Sequence, residues 1–435
     1  MGKISFIHLS DIHFNRSSGN VADIDSDLRE AIIDDIKINA KAKLSDLQGV
    51  LVVGDIAFSG KSDEYEKSKD FLKRITDILG AKQNAVFCVP GNHDVDQSVS
   101  NGSSAVYEAQ KKLDSAKSID EADRIFSKQI DDKCYSDILF KPIQNYNEFA
   151  SVFDCNIHAG LLNWHHDIEL EHGMKLQLYG ITSSFISNSD DHKYGERRLM
   201  YVGQAQIPSR QSDTIFMALC HHPPELWKFH DNIRDKINKR FDIQLYGHTH
   251  IQSMVSDDSK VIISSGAVQP VRDDDWFPRY NWITVECVIK DGKRAIKLEI
   301  YPRILSSDRD RFIIDSQSCS NCDHMEHILE IDKKRKGDLT DPISEQKHVS
   351  DDQNILVDIA CVAQEGLFDM RELKFRFFSL KSLEQTKVLL ELSLLDDEDK
   401  NMNYATIMPK IISKAKQTSK LSDLWAKINL NRSEG

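Results

Sequence analysis

The sequence predicts a layered α/β fold, in which helices cover a β-sheet, from an alternation of patterns near its start. Short apolar runs at residues 4–9, 49–53 and 85–89 are typical of buried strands. Two stretches with apolar residues at helical spacing, 25–44 and 63–79, lie between them. Strand, helix, strand, helix, strand is the order expected of such a layered domain. Each predicted strand is followed by Gly, Asp, Asn or His, and ligand sites in these sheets lie at the carboxyl ends of the strands.

The rest of the chain divides into regions by composition. Residues 95–175 are polar and broken into short helical patterns, so we interpret them as a helical insertion that lies over the site. Strand patterns then resume at 175–181, 214–220, 242–246, 260–264, 281–289 and 296–301. Residues 333–352 have the charged, apolar-poor composition of a linker. We therefore expect a first domain over 1–332 and, after the linker, a helical domain over 353–435.

Length and composition exclude several classes of protein. By a prior of ~150 residues per domain, the chain holds two to three domains, and its 40% hydrophobic and 29% charged residues are ordinary for a soluble protein. It has no run of ~18 apolar residues that predicts a membrane span. The start, MGKISFIHL, is typical of a first strand and not of a signal peptide. We therefore expect the eight cysteines to be reduced and the protein to be cytoplasmic.

The net charge is acidic, because 56 Lys and Arg stand against 69 Asp and Glu, which gives −13. This balance argues against a broad basic surface that follows a nucleic-acid duplex through its phosphates. It does not exclude a phosphate-bearing substrate, since bound metal ions can supply local positive charge.

Five clusters of metal-compatible side chains follow predicted strands. They are Asp11-Ile12-His13, Gly54-Asp55, Gly91-Asn92-His93-Asp94, His221-His222 and Gly247-His248-Thr249-His250. Carboxylate, imidazole and amide oxygen together suit borderline divalent metals such as Mn, Fe, Co, Ni and Zn. Residues two apart on an extended segment point the same way, as Asp11 and His13 do, and by the same spacing His248 and His250 can reach one centre or two adjacent ones. Each cluster alone is an ordinary turn signal; their joint occurrence predicts a metal centre.

In these residues and their order, D-x-H, G-D, G-N-H-D, H and G-H-x-H, the chain resembles the calcineurin-like metallophosphoesterases from residue 1 to about 305. The resemblance implies a four-layer α/β/β/α sandwich with a dinuclear metal centre. Composition and periodicity add the helical insertion and the C-terminal all-α bundle. The resemblance implies Asp11, His13 and His250 at the first metal. It implies Asn92, His221 and His248 at the second, with Asp55 bridging both and His221 preferred over His222. His93 would be the catalytic histidine, held by Asp94.

The expected function is hydrolysis of phosphodiester bonds in nucleotides or nucleic acid by a hydroxide that bridges the two metals. Mn or Fe is the expected metal, with Zn, Ni or Co as alternatives. A phosphomonoesterase, a protein phosphatase, and a scaffold without turnover remain open alternatives. His93 could stabilise the transition state or protonate the leaving oxygen.

Two further sets of residues have weaker patterns. Three basic residues in a loop are candidates for gripping substrate: His192, Arg197 and Arg198. A short cysteine and histidine cluster leaves zinc binding open, because its spacing is tighter than that of usual zinc fingers. This cluster consists of Cys319, Cys322, His324 and His327.

The segment 353–435 carries amphipathic patterns and no set of residues with catalytic spacing. It resembles the effector-associated, death-like adaptor domains of bacterial conflict systems in its Arg371-Glu372-Leu373 start, its central Leu-rich helix and its Leu424-Trp425 ending. That resemblance implies a protein partner. The alternative is a dimerisation or packing appendage; the oligomeric state stays open.

Overall fold

The structure is a computed structural model, and it describes residues 2–15, 25–191, 199–257, 259–270, 277–319, 322–331, 370–378, 380–396, 399, 402 and 404–432. The chain divides into two compact units. The first is Met1–Phe149 with Cys155–Leu339, and the second is Ala150–Asp154 with Thr340–Gly435.

The first unit contains two mixed β-sheets. Their strands are β1 (Ile4–Leu9), β2 (Leu47–Val53), β3 (Val86–Val89), β4 (Trp164–Glu169), β5 (Lys175–Gly180), β6 (Thr214–Leu219), β7 (Ile243–Tyr246), β8 (Gln252–Asp257), β9 (Lys260–Ser265), β10 (Arg279–Lys290), β11 (Lys293–Leu305), β12 (Phe312–Ile314) and β13 (Met325–Glu330). The first sheet has the order β12-β11-β10-β1-β2-β3, with β13 also on β11, and the second has the order β4-β5-β6-β7-β9-β8.

Each sheet combines a block of parallel strands with antiparallel ones. Strands β1, β2 and β3 pair in parallel, as do β5, β6, β7 and β9. All six residues of β1 are buried, which suits a strand covered on both faces. The sheets meet where Phe87 of β3 lies 6.3 Å from Trp164 of β4 between ring centroids, and Trp164 Nε1 donates to the Cys88 carbonyl at 2.9 Å. This arrangement confirms the predicted α/β sandwich.

Helices precede and follow the strands of the first unit. They are α1 (Ser26–Asp35), continued through a π-turn at Ile36–Ala40 into α2 (Lys41–Lys43), α3 (Ser62–Leu79), α4 (Gln97–Gly102), α5 (Ser104–Asp114), α6 (Ile119–Asp131), α7 (Lys133–Phe140), α8 (Gln144–Ser151) and α9 (His230–Arg240). Helix α3 buries a stripe that includes Phe71, Leu72 and Ile75, and a left-handed Gly80 ends it.

The predicted insertion, residues 95–175, is helical only over its first part. Its helices α4 to α8 end at Ser151, and Trp164–Glu169 is strand β4, paired with β5. The helices contact loops that follow strands: the Asn145 amide donates to the Gly60 carbonyl, and Gln110 donates to the Phe185 carbonyl. Strand β4 was not expected within this range, because an edge strand stabilised by its neighbour leaves little trace in local periodicity.

The second unit contains four described helices around its own apolar core. They are α10 (Met370–Phe378), α11 (Ser382–Glu391), α12 (Tyr404–Gln417) and α13 (Leu421–Arg432). Their core includes Leu373, Phe377, Leu389 and Ile411, and Trp425 packs against it. This confirms the predicted all-α region. Residues 353–369 of the predicted helical domain and the linker 333–352 lie outside the described residues.

Among the helices that the structure describes, none combines the length and the apolar composition that a bilayer crossing requires.

Candidate functional site

The five sequence clusters follow five strands: β1, β2 and β3 of the first sheet, and β6 and β7 of the second. Backbone hydrogen bonds hold the segments together. Asp11 N donates to the Gly54 carbonyl at 3.1 Å, and Gly247 N donates to the His221 carbonyl at 3.0 Å. The carboxyl ends of both sheets thus contribute to one site.

Side chains from the two sheets meet across this site. His221 Nε2 lies 3.2 Å from Asp55 Oδ2, and His250 Nε2 lies 3.3 Å from Asp11 Oδ1. His248 Nδ1 lies 2.9 Å from Asn92 Oδ1. Residues as far apart in sequence as 11 and 250 therefore share one small volume.

The possible ligand atoms form overlapping groups, each with its atoms within 4.8 Å of one another. The groups are Asp11-His13-His250, His13-Asp55-His93, Asp11-Asp55-His221 and His221-His222-His248. Asp11 and Asp55 each belong to two groups, so the carboxylates link the histidines of the two sheets. Overlap of this kind is what a centre with more than one cation requires.

Several buried polar atoms of the site make no hydrogen bond: Asp11 Oδ1, His13 Nδ1 and His221 Nε2. The 3.2 and 3.3 Å contacts of His221 and Asp11 lack hydrogen-bond alignment. A buried polar atom without such a bond is costly and calls for an explanation such as a bound ion. A donor set of carboxylate, imidazole and amide oxygen fits borderline divalent metals. The residues present therefore fit a divalent metal centre.

The protein charges set the ionisation of the site. Burial by itself would raise the pKa of Asp55, but neighbouring imidazoles, His221 foremost, hold that pKa well below its usual range. Burial would lower the pKa of His221, yet the Asp55 carboxylate raises it to about 9. Burial lowers the pKa of His13 to about 4. Asp55 is therefore a carboxylate and His13 a neutral imidazole at neutral pH, the forms in which both bind cations, whereas His221 is protonated and must release its proton to bind one.

Glycines at the strand ends allow the close approach of these segments. A Cβ on Gly91 would lie 2.0 Å from Asp55 Oδ1, and one on Gly247 would lie 2.1 Å from Ser10 Oγ. Gly54 has a positive φ of 80°, and a Cβ there would lie 2.5 Å from His221 Nδ1. These distances leave no room for a side chain at any of the three positions, so glycine is what lets the segments approach one another.

The expected contact between Asp94 and His93 is absent, so this part of the prediction is wrong. The Asp94 carboxylate accepts from the backbone N–H of Ile56, Ala57 and Gly91 at 2.9–3.2 Å and from the Tyr65 hydroxyl at 2.9 Å. His93 Nδ1 instead lies 2.7 Å from the Phe58 carbonyl. Asp94 thus holds the loop that carries Phe58 and, through Gly91, the segment that carries His93.

His222 is close to the centre, although sequence reasoning preferred its neighbour. His222 Nδ1 lies 2.8 Å from Ser183 Oγ, and its ring centroid lies 4.4 Å from that of His248. His221 Nδ1 lies 2.9 Å from the Val53 carbonyl, and its Nε2 is on the Asp55 side. The choice of His221 as ligand stays a prediction. No local pattern marks Ser183, Phe58 or Tyr65 as site residues, because their contacts come from other segments.

The cysteine and histidine cluster does not assemble into a ligand group among the described residues. His327 Nε2 lies 3.1 Å from the Asp257 carbonyl, and His324 stacks on Tyr301. His324 does approach Glu299 and Glu326, but Lys297 already pairs with both carboxylates. The loop candidates His192, Arg197 and Arg198 lie outside the described residues.

Comparison with known proteins gives two family matches. The model of the calcineurin-like phosphoesterases matches residues 4–252, and that of the GTPase-associated adaptor domain matches residues 369–430. The second match agrees with the adaptor-like resemblance of the C-terminal segment. The chain is 23% identical over 320 residues to YydB, an uncharacterised metallophosphoesterase-like protein of Bacillus subtilis (strain 168). That alignment covers 69% of this chain and 60% of YydB, so the chain spans about three fifths of that relative's length.

Two solved structures are also similar to this chain. Vps29 from Entamoeba histolytica has 12% identity and a TM-score of 0.31, and the match covers 74% of this chain and 99% of Vps29. GAP50 from Plasmodium has 9% identity and a TM-score of 0.33, and the match covers 82% of this chain and all of GAP50.

Proposed function

This chain belongs to the calcineurin-like phosphoesterase family, and from that premise we propose that it is a metal-dependent hydrolase of phosphodiester bonds in nucleotides or nucleic acid. The observation that carries the proposal is the set of overlapping ligand groups at the strand ends, with buried site atoms that make no hydrogen bond. The acidic net charge favours small or single-stranded substrates over a duplex.

Two divalent cations, Mn or Fe first and Zn, Ni or Co as alternatives, are the proposed cofactors. Asp11, His13 and His250 would hold one cation. Asn92, His221 and His248 would hold the other. Asp55, which shares groups with residues of both sets, would contact both. When bound, such a pair neutralises phosphoryl charge and activates a water for in-line attack on phosphorus.

His93 is the proposed proton donor. A carbonyl can only accept, so the Phe58 carbonyl keeps the hydrogen on His93 Nδ1. Nε2 is then the nitrogen available to the substrate, where a protonated ring can donate to the leaving oxygen. The His93 ring centroid lies 4.7 Å from that of His13, and this distance supports a proton donor next to the proposed ligands.

The second unit is proposed to bind a protein partner, as the adaptor-domain match and its separate apolar core both favour. We also propose that the protein is located in the cytoplasm. This location is favoured because every cysteine in the described ranges is a free thiol.

The central experiment compares wild type, Asp55→Asn and His93→Ala for metal content and for turnover in Mn-supplemented buffer. The substrates are bis-para-nitrophenyl phosphate, para-nitrophenyl phosphate, cyclic nucleotides and single-stranded DNA. We expect Asp55→Asn to lose both metal and activity. His93→Ala should keep its metals while kcat falls ~10²–10⁴-fold, the usual effect of losing a general acid.

The variants separate the roles because His93 also belongs to a possible ligand group. Loss of metal from His93→Ala would make it a ligand, and full metal content with full turnover in Asp55→Asn would refute the bridging role. A preference of wild type for para-nitrophenyl phosphate would favour a monoesterase or protein phosphatase. If the metal-loaded wild type hydrolyses none of the four substrates, the alternative of a scaffold without turnover is favoured.

A further inference from the structure

Phe58 is an exposed aromatic residue within the candidate site. Its exposed fraction is 49%, whereas the preceding Ile56 and Ala57 are fully buried. Its ring centroid lies 5.3 Å from that of His93 and 6.1 Å from that of His13. One side of the ring thus contacts the proposed proton donor and a proposed metal ligand, and the rest faces solvent.

The position of Phe58 is fixed by the same bonds that order the site. Phe58 N donates to the Phe14 carbonyl at 3.1 Å, and its carbonyl lies 2.7 Å from His93 Nδ1. Asp94 holds the neighbouring Ala57 N–H at 2.9 Å. Single exposed apolar side chains are common and need no explanation. Phe58 differs from them because its backbone is anchored on both sides and its ring touches two imidazoles of the site.

We propose that Phe58 is a specificity-determining residue whose ring stacks on a nucleobase attached to the scissile phosphate. This inference rests on the proposed function, because it needs a phosphoester at the metal centre. Because the Phe58 and His93 ring centroids lie 5.3 Å apart, a substituent of a group bound at His93 is within reach of the Phe58 ring. Stacking on an aromatic ring accepts any base, so the predicted substrate is a nucleotide or single strand with little sequence preference. The His93 and His13 rings next to it restrict the Phe58 ring, so it loses less conformational entropy on binding than an unrestrained side chain.

The test measures base selectivity as a ratio of kcat/KM values. The two substrates are a thymidine dinucleotide and the same dinucleotide with both bases replaced by hydrogen, both assayed with the metal-loaded full chain. The ratio is kcat/KM for the dinucleotide with bases divided by kcat/KM for the one without. We expect it to fall at least about fivefold in Phe58→Ala and Phe58→Leu. Phe58→Trp should keep or raise it. Tyr135→Ala is the matched control, since Tyr135 is an aromatic residue with 48% exposure on helix α7, and its ratio should equal that of wild type.

A second readout is independent of turnover. In Phe58→Trp, we expect the extra indole fluorescence, taken as the difference from wild type, to be quenched by thymidine 5′-monophosphate and not by deoxyribose 5-phosphate. Circular dichroism and metal content establish that each variant is folded and loaded.

Equal ratios in wild type and Phe58→Ala, or equal quenching by both ligands, would overturn the stacking role. If wild type hydrolyses bis-para-nitrophenyl phosphate and Phe58 has no effect on base selectivity, only this inference fails. If loaded wild type hydrolyses no phosphoester and Phe58→Trp binds neither ligand, the proposed function fails with it.

Discussion

Five site residues adopt a left-handed backbone conformation that is uncommon for residues other than glycine. Asp11, His13, Asp55, His248 and His250 have φ values between 50° and 64°. Such conformations cost of order 1–3 kcal/mol each unless the surrounding structure holds them, and Asp and His tolerate them better than branched residues do. Each of these residues follows a strand whose chain must turn sharply to aim its side chain at the centre. Five of the seven proposed metal ligands thus have a strained backbone.

Gly91→Ala tests how closely the backbone must approach Asp55. The new Cβ would lie 2.0 Å from Asp55 Oδ1, so the carboxylate or the β3 end must move. We expect loss of metal and a fall in kcat/KM of about 10²-fold, the size of effect that a 1 Å misplacement can have. Metal content by elemental analysis and steady-state kinetics measure the two effects.

Gly102→Ala is the matched control, because a Cβ there has no neighbour within 4 Å. It should keep wild-type metal content and activity. A Gly91→Ala protein with full metal content and turnover would contradict the close-approach argument.

At the scale of elements, one buried carboxylate holds the loop between β2 and α3. Asp94 accepts three backbone N–H groups and the Tyr65 hydroxyl. Burial and the charge of Asp55 raise the pKa of Asp94 to about 6. The donors around it nonetheless require an acceptor, and an amide in its place would turn an NH₂ group towards some of them.

We therefore expect Asp94→Asn to lower the free energy of unfolding by about 1.5–3 kcal/mol, as for hydrogen bonds to charged groups. Tyr65→Phe removes a single donor and should cost about 1 kcal/mol. Denaturant unfolding of both variants measures the difference. If the Asp94→Asn variant is as stable as the Tyr65→Phe variant, the loop does not depend on a charged acceptor.

A buried ion pair links helix α1 to strand β11. The Arg303 guanidinium contacts both carboxylate oxygens of Asp35, and the Tyr280 hydroxyl donates to the same carboxylate. The Arg303 and Asp35 side chains are only 4% and 1% exposed. Arg303→Met leaves Asp35 charged and buried, so we expect a loss of about 3–5 kcal/mol in denaturant unfolding.

The comparison is Arg74→Ala, which breaks a pair with Glu30 whose side chains are 48% and 53% exposed. It should cost about 0–1 kcal/mol. Similar costs for the two variants would mean that the buried pair contributes no more than the exposed one.

At the scale of the whole molecule, the chain contains two units with separate cores. The second unit buries its own cluster around Leu389 and Ile411, and the adaptor match is confined to residues 369–430. We expect a chain that ends near residue 335 to fold and to hydrolyse a small diester at close to the full-length rate. Kinetics and thermal unfolding measure both properties.

The isolated segment 353–435 should be helical by circular dichroism and inactive. Trp425 is the proposed anchor for a partner. Because it also packs against the core and lies under Arg376, Trp425→Ala could unfold the unit, and its helicity is measured first. A truncated enzyme that folds but fails on every small substrate would mean that the tail helps to build the site.

The sequence by itself determined the class of fold and the set of chemically useful side chains. Apolar runs that end in Asp, Asn, His and Gly are local patterns, and the carboxyl ends of strands come together in any such sandwich. Only the tertiary structure decided which side chains touch: Asp94 binds the 55–58 loop instead of His93, and Phe58 supplies the carbonyl that orients His93. The tertiary structure also contains four strands that the periodicity of the sequence did not predict: β4, β8, β12 and β13. The physical reason is the same in both cases, because these contacts and pairings join segments far apart in sequence, and packing, not local pattern, selects the partners.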